Sequence, residues 1–204
     1  MNLKKMPYGI SNFEELITEN YYYVDKTKYI EKLENLSEKR IMFLRPRKFG
    51  KTLFTSVLEY YYDKRKANKF EKLYGNTYIG KNPTKLKNSY CILRFNFSGI
   101  DTSTEELKIK GFKNSTIEAI KLFIGRYKID FFINENQEVE DILNSLFTAF
   151  SLQKNEELIY VIIDEYDHFA NELLGFHPER FKSLVSKNGK VRKWYEILKK
   201  EQKQ

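Results

Sequence analysis

At 204 residues, with 41% hydrophobic and 16% aromatic side chains, the chain can bury one sizeable core and is too apolar to be disordered. Its apolar runs are far too short to cross a bilayer as helices, and no secretory leader pattern follows the first methionine, so the cytoplasm is the expected compartment and no membrane partner is expected. The net charge of +8, from 36 basic and 28 acidic residues, permits attraction to DNA or to nucleotide phosphates, but the lysines are dispersed among acids and the densest patches, Lys64-Arg65-Lys66 and residues 187–203, read as solvated faces.

Residues 1–10 form a basic lead-in. Ser11 with Glu14 makes a capping box ahead of Phe13, Leu16 and Ile17, which predicts a short helix. The aromatic stretch 21–27 reads as a strand or an extended segment, and a helix is expected over 29–36. A short apolar run, Ile41 to Leu44, then reads as a strand that leads into Arg45-Pro46-Arg47-Lys48-Phe49-Gly50-Lys51-Thr52. Leu53, Val57, Tyr60 and Tyr61 recur behind it at helical spacing.

Strand, turn, Gly-Lys-Thr and helix is the layout of a phosphate-binding loop. Backbone N–H groups at a helix N-terminus face the phosphates, the lysine neutralises the outer ones, and the threonine hydroxyl holds Mg²⁺. The full pattern has glycine where this chain has Arg45, so the tripeptide gains its weight from context.

Residues 63–88 read as a polar connector with turns at Gly75, Gly80 and Pro83, and 89–97 as a second strand. The single cysteine, Cys91, lies in that apolar run and reads as a buried structural thiol. Ser103 with Glu106 predicts a further helix, with Leu107, Ile117, Ile120 and Ile124 inward and a break near Gly111. Residues 134–140 are an acidic connector before an amphipathic helix that carries Ile142, Leu143, Leu146, Phe147 and Phe150.

Leu158-Ile159-Tyr160-Val161-Ile162-Ile163 then reads as a strand buried on both faces, ending in Asp164 and Glu165. In a phosphate-loop NTPase the first such acid completes the Mg²⁺ shell and the second orients the attacking water. Val191, Trp194, Tyr195 and Leu198 mark one face of a basic C-terminal helix. The expected fold is α/β, a three-layer P-loop NTPase-type sandwich around a mostly parallel sheet, with three core strands where such sheets usually have five.

These segments together resemble the bacterial AAA-ATPase-like family, divergent P-loop NTPases often fused to a C-terminal PD-(D/E)xK nuclease-like domain. The resemblance rests on Pro7-Tyr8-Gly9-Ile10 with Asn12-Phe13, on Tyr23-Val24-Asp25-Lys26-Thr27, on the 45–52 loop, on Asn96-Phe97-Ser98-Gly99-Ile100-Asp101, and on Ile163-Asp164-Glu165-Tyr166-Asp167. The family's loop normally carries arginine at the position of Arg45. Where its members usually carry Lys-Pro after the acidic run, this chain has His168-Phe169.

The resemblance implies ATP and Mg²⁺ as cofactors, with residues 45–52 cradling the nucleotide and Lys51 on its terminal phosphates. Thr52 and Asp164 would serve the metal, and Glu165 would position water. It assigns no chemistry to Asp25, Lys26 or His168.

The resemblance also implies a chain that stops before the sensor strand, so that 1–38 is a lead-in and 39–204 a partial NTPase core. Without that strand the loop strand and the Asp-Glu strand are expected to lie unpaired along facing edges. The expected function is ATP binding with weak hydrolysis in isolation, and the expected partners are a second copy in a homo-oligomer or the missing C-terminal nuclease-like domain. The alternatives are a degenerate module that binds DNA or protein through its basic surface, and a non-functional fragment. A GTPase is disfavoured because Asn68-Lys69-Phe70-Glu71 is not a base-reading Asn-Lys-x-Asp, and nucleotide-independent metal chemistry has only His168 and His177 to draw on.

Overall fold

In the computed structural model, residues 3–44, 46, 48–101, 103–154, 156–165 and 190–200 are described. The expected Tyr166-Asp167 motif residues and His168 lie outside them, as do Arg45 and Arg47. The described elements are α1 (Phe13–Thr18), α2 (Lys28–Glu34), α3 (Lys51–Tyr62), α4 (Phe70–Tyr74), α5 (Tyr78–Lys81), β1 (Tyr90–Asn96), α6 (Glu105–Tyr127), α7 (Val139–Gln153), β2 (Leu158–Asp164) and α8 (Lys190–Lys200). The chain divides into two compact units, one of Met1–Ile92 with Leu158–Tyr160, the other of Leu93–Glu157 with Val161–Gln204.

The α/β class holds, but the sheet is a small parallel pair, β1 beside β2. Residues 41–44, expected as the strand before the loop, are not a strand. Their side chains give the reason. Ile41, Met42 and Leu44 are exposed, so no apolar face is buried there, and an extended segment needs a neighbouring strand to pair its N–H and C=O groups. Among the described residues, these two strands do not make up the expected three-layer sandwich.

In the first unit, α1 is capped by Asn12 rather than Ser11: the Asn12 carboxamide oxygen accepts from Glu15 N at 3.1 Å. The fully buried Phe13 donates its backbone N–H to Ser56 Oγ at 2.9 Å, which docks α1 on α3. The expected polar connector 63–88 is largely helical: Lys64–Lys69 form a 3-10 turn, followed by α4 and α5. Phe70, Leu73, Tyr74 and Ile79 supply its buried face, a pattern too short and too interrupted by lysine to register as periodic.

In the second unit, α6 starts one residue later than the expected cap, with the Thr104 hydroxyl accepting from Leu107 N at 3.2 Å. It runs unbroken through Gly111. That glycine serves close packing, since a Cβ there would sit 2.7 Å from Ile100 Cγ2. Ile117 and Ile120 face inward as expected, whereas Leu107 is 40% exposed. The core gathers around Trp194 of α8, fully buried with edge-on contacts to Phe95, Phe97 and Phe112. α8 packs against α7, and Cys91 is buried, as its setting predicted. Among the described residues no helix is long and apolar enough to cross a membrane.

Candidate functional site

The loop residues lie in the first unit. Pro46, Lys48, Phe49 and Gly50 are exposed, with Phe49 at 60%. Lys48 and Gly50 both take left-handed backbone, at φ 68° and 74°. For Gly50 this conformation is the whole reason for glycine, because a Cβ there would meet nothing within 4 Å. For Lys48 it is an uncommon state for a side-chain-bearing residue, of the kind that concentrates at ligand-binding turns.

The double turn delivers the chain into α3, with Gly50 as N-cap and Gly50 O accepting from Phe54 N at 2.9 Å. Lys51 and Thr52 are thus the first two residues of a twelve-residue helix. First-turn N–H groups of a helix face outward along its axis, where its positive end favours anions. Lys51 and Thr52 are half-buried, and the Thr55 hydroxyl donates to Thr52 O at 2.9 Å, which pins the first turn. Upstream, Phe43 meets Phe54 edge-on at 5.4 Å and holds the approach to the loop against α3.

The acidic pair lies in the second unit. Asp164 ends β2 beside the end of β1, where its carbonyl accepts from Phe97 N at 3.3 Å. Its side chain is 4% exposed. The carboxylate is held on both oxygens: Oδ1 accepts from Glu165 N at 3.1 Å, and Oδ2 accepts from the Arg94 guanidinium at 2.8 Å. Glu165 stands in left-handed backbone at φ 55°, a sharp turn off the strand by a residue that rarely adopts it. Arg94 is the site residue that the sequence reading missed. It sits in the middle of an apolar strand, a signal that could have marked it, since a cation in such a run requires a buried anion as partner.

Two other motif segments make bonds that hold the fold. Asp25 Oδ1 accepts from Thr27 N at 2.8 Å and Oδ2 from Tyr78 N at 2.7 Å, while the fully buried Thr27 accepts through its hydroxyl from Ile79 N at 3.1 Å. Tyr-Val-Asp-Lys-Thr is therefore a clamp that fastens the start of α2 to the start of α5. In Asn96 to Asp101, the Asn96 side chain accepts from Ser98 N at 2.9 Å, Phe97 and Ile100 are buried, Gly99 takes φ 72°, and Asp101 accepts from Ser103 N at 2.9 Å. These are the demands of a tight turn from β1 into α6.

Taken one by one, the Thr52 hydroxyl of the first unit and the Asp164 carboxylate of the second are hard oxygen donors, the type that Mg²⁺ takes. Among the described residues no group of three or more His, Cys, Asp and Glu is gathered.

A family model described as predicted AAA-ATPase matches residues 7–204. No curated protein and no solved structure matches the chain.

Proposed function

The chain belongs to the predicted AAA-ATPase family, and on that premise we propose that it binds the phosphates of ATP through residues 45–52 and hydrolyses ATP slowly with Mg²⁺. The observation that carries this reading is the left-handed double turn at Lys48 and Gly50 that sets Lys51 and Thr52 at the head of α3. That turn opens the helix end to an anion, Lys51 adds a point charge for the terminal phosphates, and Thr52 offers a hydroxyl to the metal. When bound, Mg²⁺ supplies charge neutralisation to the phosphates. Asp164 serves the metal through its carboxylate and Glu165 orients the attacking water.

The test is thermal unfolding with and without Mg²⁺-ATP, for wild type and Lys51→Ala. Ligand at 100 times its Kd that binds only the folded state adds about 2.7 kcal/mol. Wild type should gain a clear rise in melting temperature that Lys51→Ala loses. No rise in wild type, or an equal rise in the variant, overturns the reading.

A further inference from the structure

We infer that Arg94 is a charge latch on Asp164, competing with a divalent cation for the carboxylate. The inference rests on the reading of Asp164 as a metal-serving group. Its geometry is fixed by the backbone: Arg94 and Asp164 stand on the two paired strands, whose ends are tied by the hydrogen bond from Phe97 N to Asp164 O. With one oxygen taken by the Glu165 N–H and the other by the guanidinium, positive donors already engage both ends of the carboxylate.

A guanidinium stays charged at any ordinary pH, so the arginine does not leave this pair by losing its proton; a competing cation or a movement of the arginine can displace it. The two partners are unequal in exposure, 22% for the Arg94 side chain against 4% for Asp164. The Arg94 side chain is the more exposed partner, while the carboxylate is buried and must be compensated where it is. Whatever cation replaces Arg94 gains a desolvated anion, and until then the latch lowers the metal affinity of this acid. Arg94 is thus a positioning residue that ties metal loading to displacement of one side chain.

The test uses Mg²⁺ alone, without nucleotide, at constant ionic strength. Melting temperature is followed against Mg²⁺ concentration for wild type, Arg94→Gln, Arg94→Lys and the double variant Arg94→Gln/Asp164→Asn. Arg94→Gln should be the least stable in metal-free buffer, and its Mg²⁺ midpoint should fall by about tenfold or more below that of wild type. Arg94→Lys keeps the charge but not the planar fork, and should lie between the two. The double variant should lose the gain. An unchanged midpoint in Arg94→Gln, or a gain that survives Asp164→Asn, overturns the latch. If Arg94→Gln does not melt cooperatively, Arg94→Lys decides alone: a lowered midpoint supports the latch and an unchanged one overturns it. Failure of the ATP-binding reading is scored separately, by the Lys51-dependent ATP shift, which this titration does not use.

Discussion

The interior of the first unit is built around Tyr60, Tyr61, Tyr62 and Tyr74, that of the second around Phe95, Phe97, Phe112, Phe123, Phe150 and Trp194. A tyrosine core fills space like a phenylalanine core but carries a hydroxyl that must be paired wherever it is buried. In the first unit each has a partner. Tyr60 donates to Glu14 at 2.8 Å, Tyr62 to Glu34 at 2.9 Å and Tyr74 to the Val57 carbonyl at 2.6 Å, while the Tyr61 and Thr84 hydroxyls meet at 3.0 Å. Rings of Tyr62 and Tyr160 stack at 4.6 Å, and Glu34 also accepts from Thr84. The second unit instead holds its shape by aromatic edge contacts, and its one buried indole N–H, on Trp194, has no hydrogen-bond partner among the described residues. One core is specified by directional bonds, the other by shape.

The largest effect that separates them is alkaline pH. Burial, aided at Tyr60 by the Glu14 hydrogen bond, pushes Tyr23, Tyr60 and Tyr160 from 10.0 up to about 12, and burial raises Tyr62 and Tyr74 as well. A folded-state value raised above the unfolded one contributes stability that is complete below the unfolded pKa and is lost as pH rises through the folded one. The tyrosine core should therefore fail between pH 10 and about 12. Tyrosinate absorbance should rise there before the emission of Trp194, the only tryptophan, reports exposure of the second core. Coincident transitions would show that the two cores unfold as one.

Truncation gives the next largest contrast. Trp194→Ala empties the centre of the second core and should cost about 3–5 kcal/mol, whereas Tyr74→Phe keeps the ring, strips one hydroxyl from the Val57 carbonyl and should cost about 1–3 kcal/mol. Denaturant midpoints measure both. Equal losses would mean that the tyrosine hydroxyls carry as much of the fold as aromatic volume does.

What could be read from sequence follows the same division. The strands β1 and β2 and the two long helices, α6 and α7, were legible as elements from β-branched runs and apolar periods, but β2 is only partly buried, with Leu158 57% exposed, where burial on both faces was expected. In the first unit, α4 and α5 escaped notice because their buried faces are set by Tyr74, Thr77 and Ile79 amid lysines, and pairing of hydroxyls leaves no periodic trace. Caps were misplaced by one residue at Asn12 and Thr104, since neighbouring polar residues cap equally well on paper. At the site, the Gly50-Lys51-Thr52 turn and the end of β2 at Asp164 were legible as local patterns. The pairing of Arg94 with Asp164 was not, because it joins residues 70 positions apart.

The smallest effect concerns Asp25, and it separates a structural motif from a chemical one. Its two carboxylate oxygens accept from Thr27 N and Tyr78 N, the second at the first residue of the four-residue α5. So short a helix cannot hold itself by propensity, and its start depends on such caps. Asp25→Ala should cost about 1 kcal/mol, the usual loss on removing a capping side chain. Asp25→Asn, which keeps one acceptor oxygen, should cost less. Both should leave the ATP-induced rise in melting temperature as large as in wild type, because the clamp fastens α2 to α5 and touches no residue of the 45–52 loop by these bonds. Loss of that rise in Asp25→Asn, with stability nearly intact, would move Asp25 out of the clamp role and into the nucleotide site.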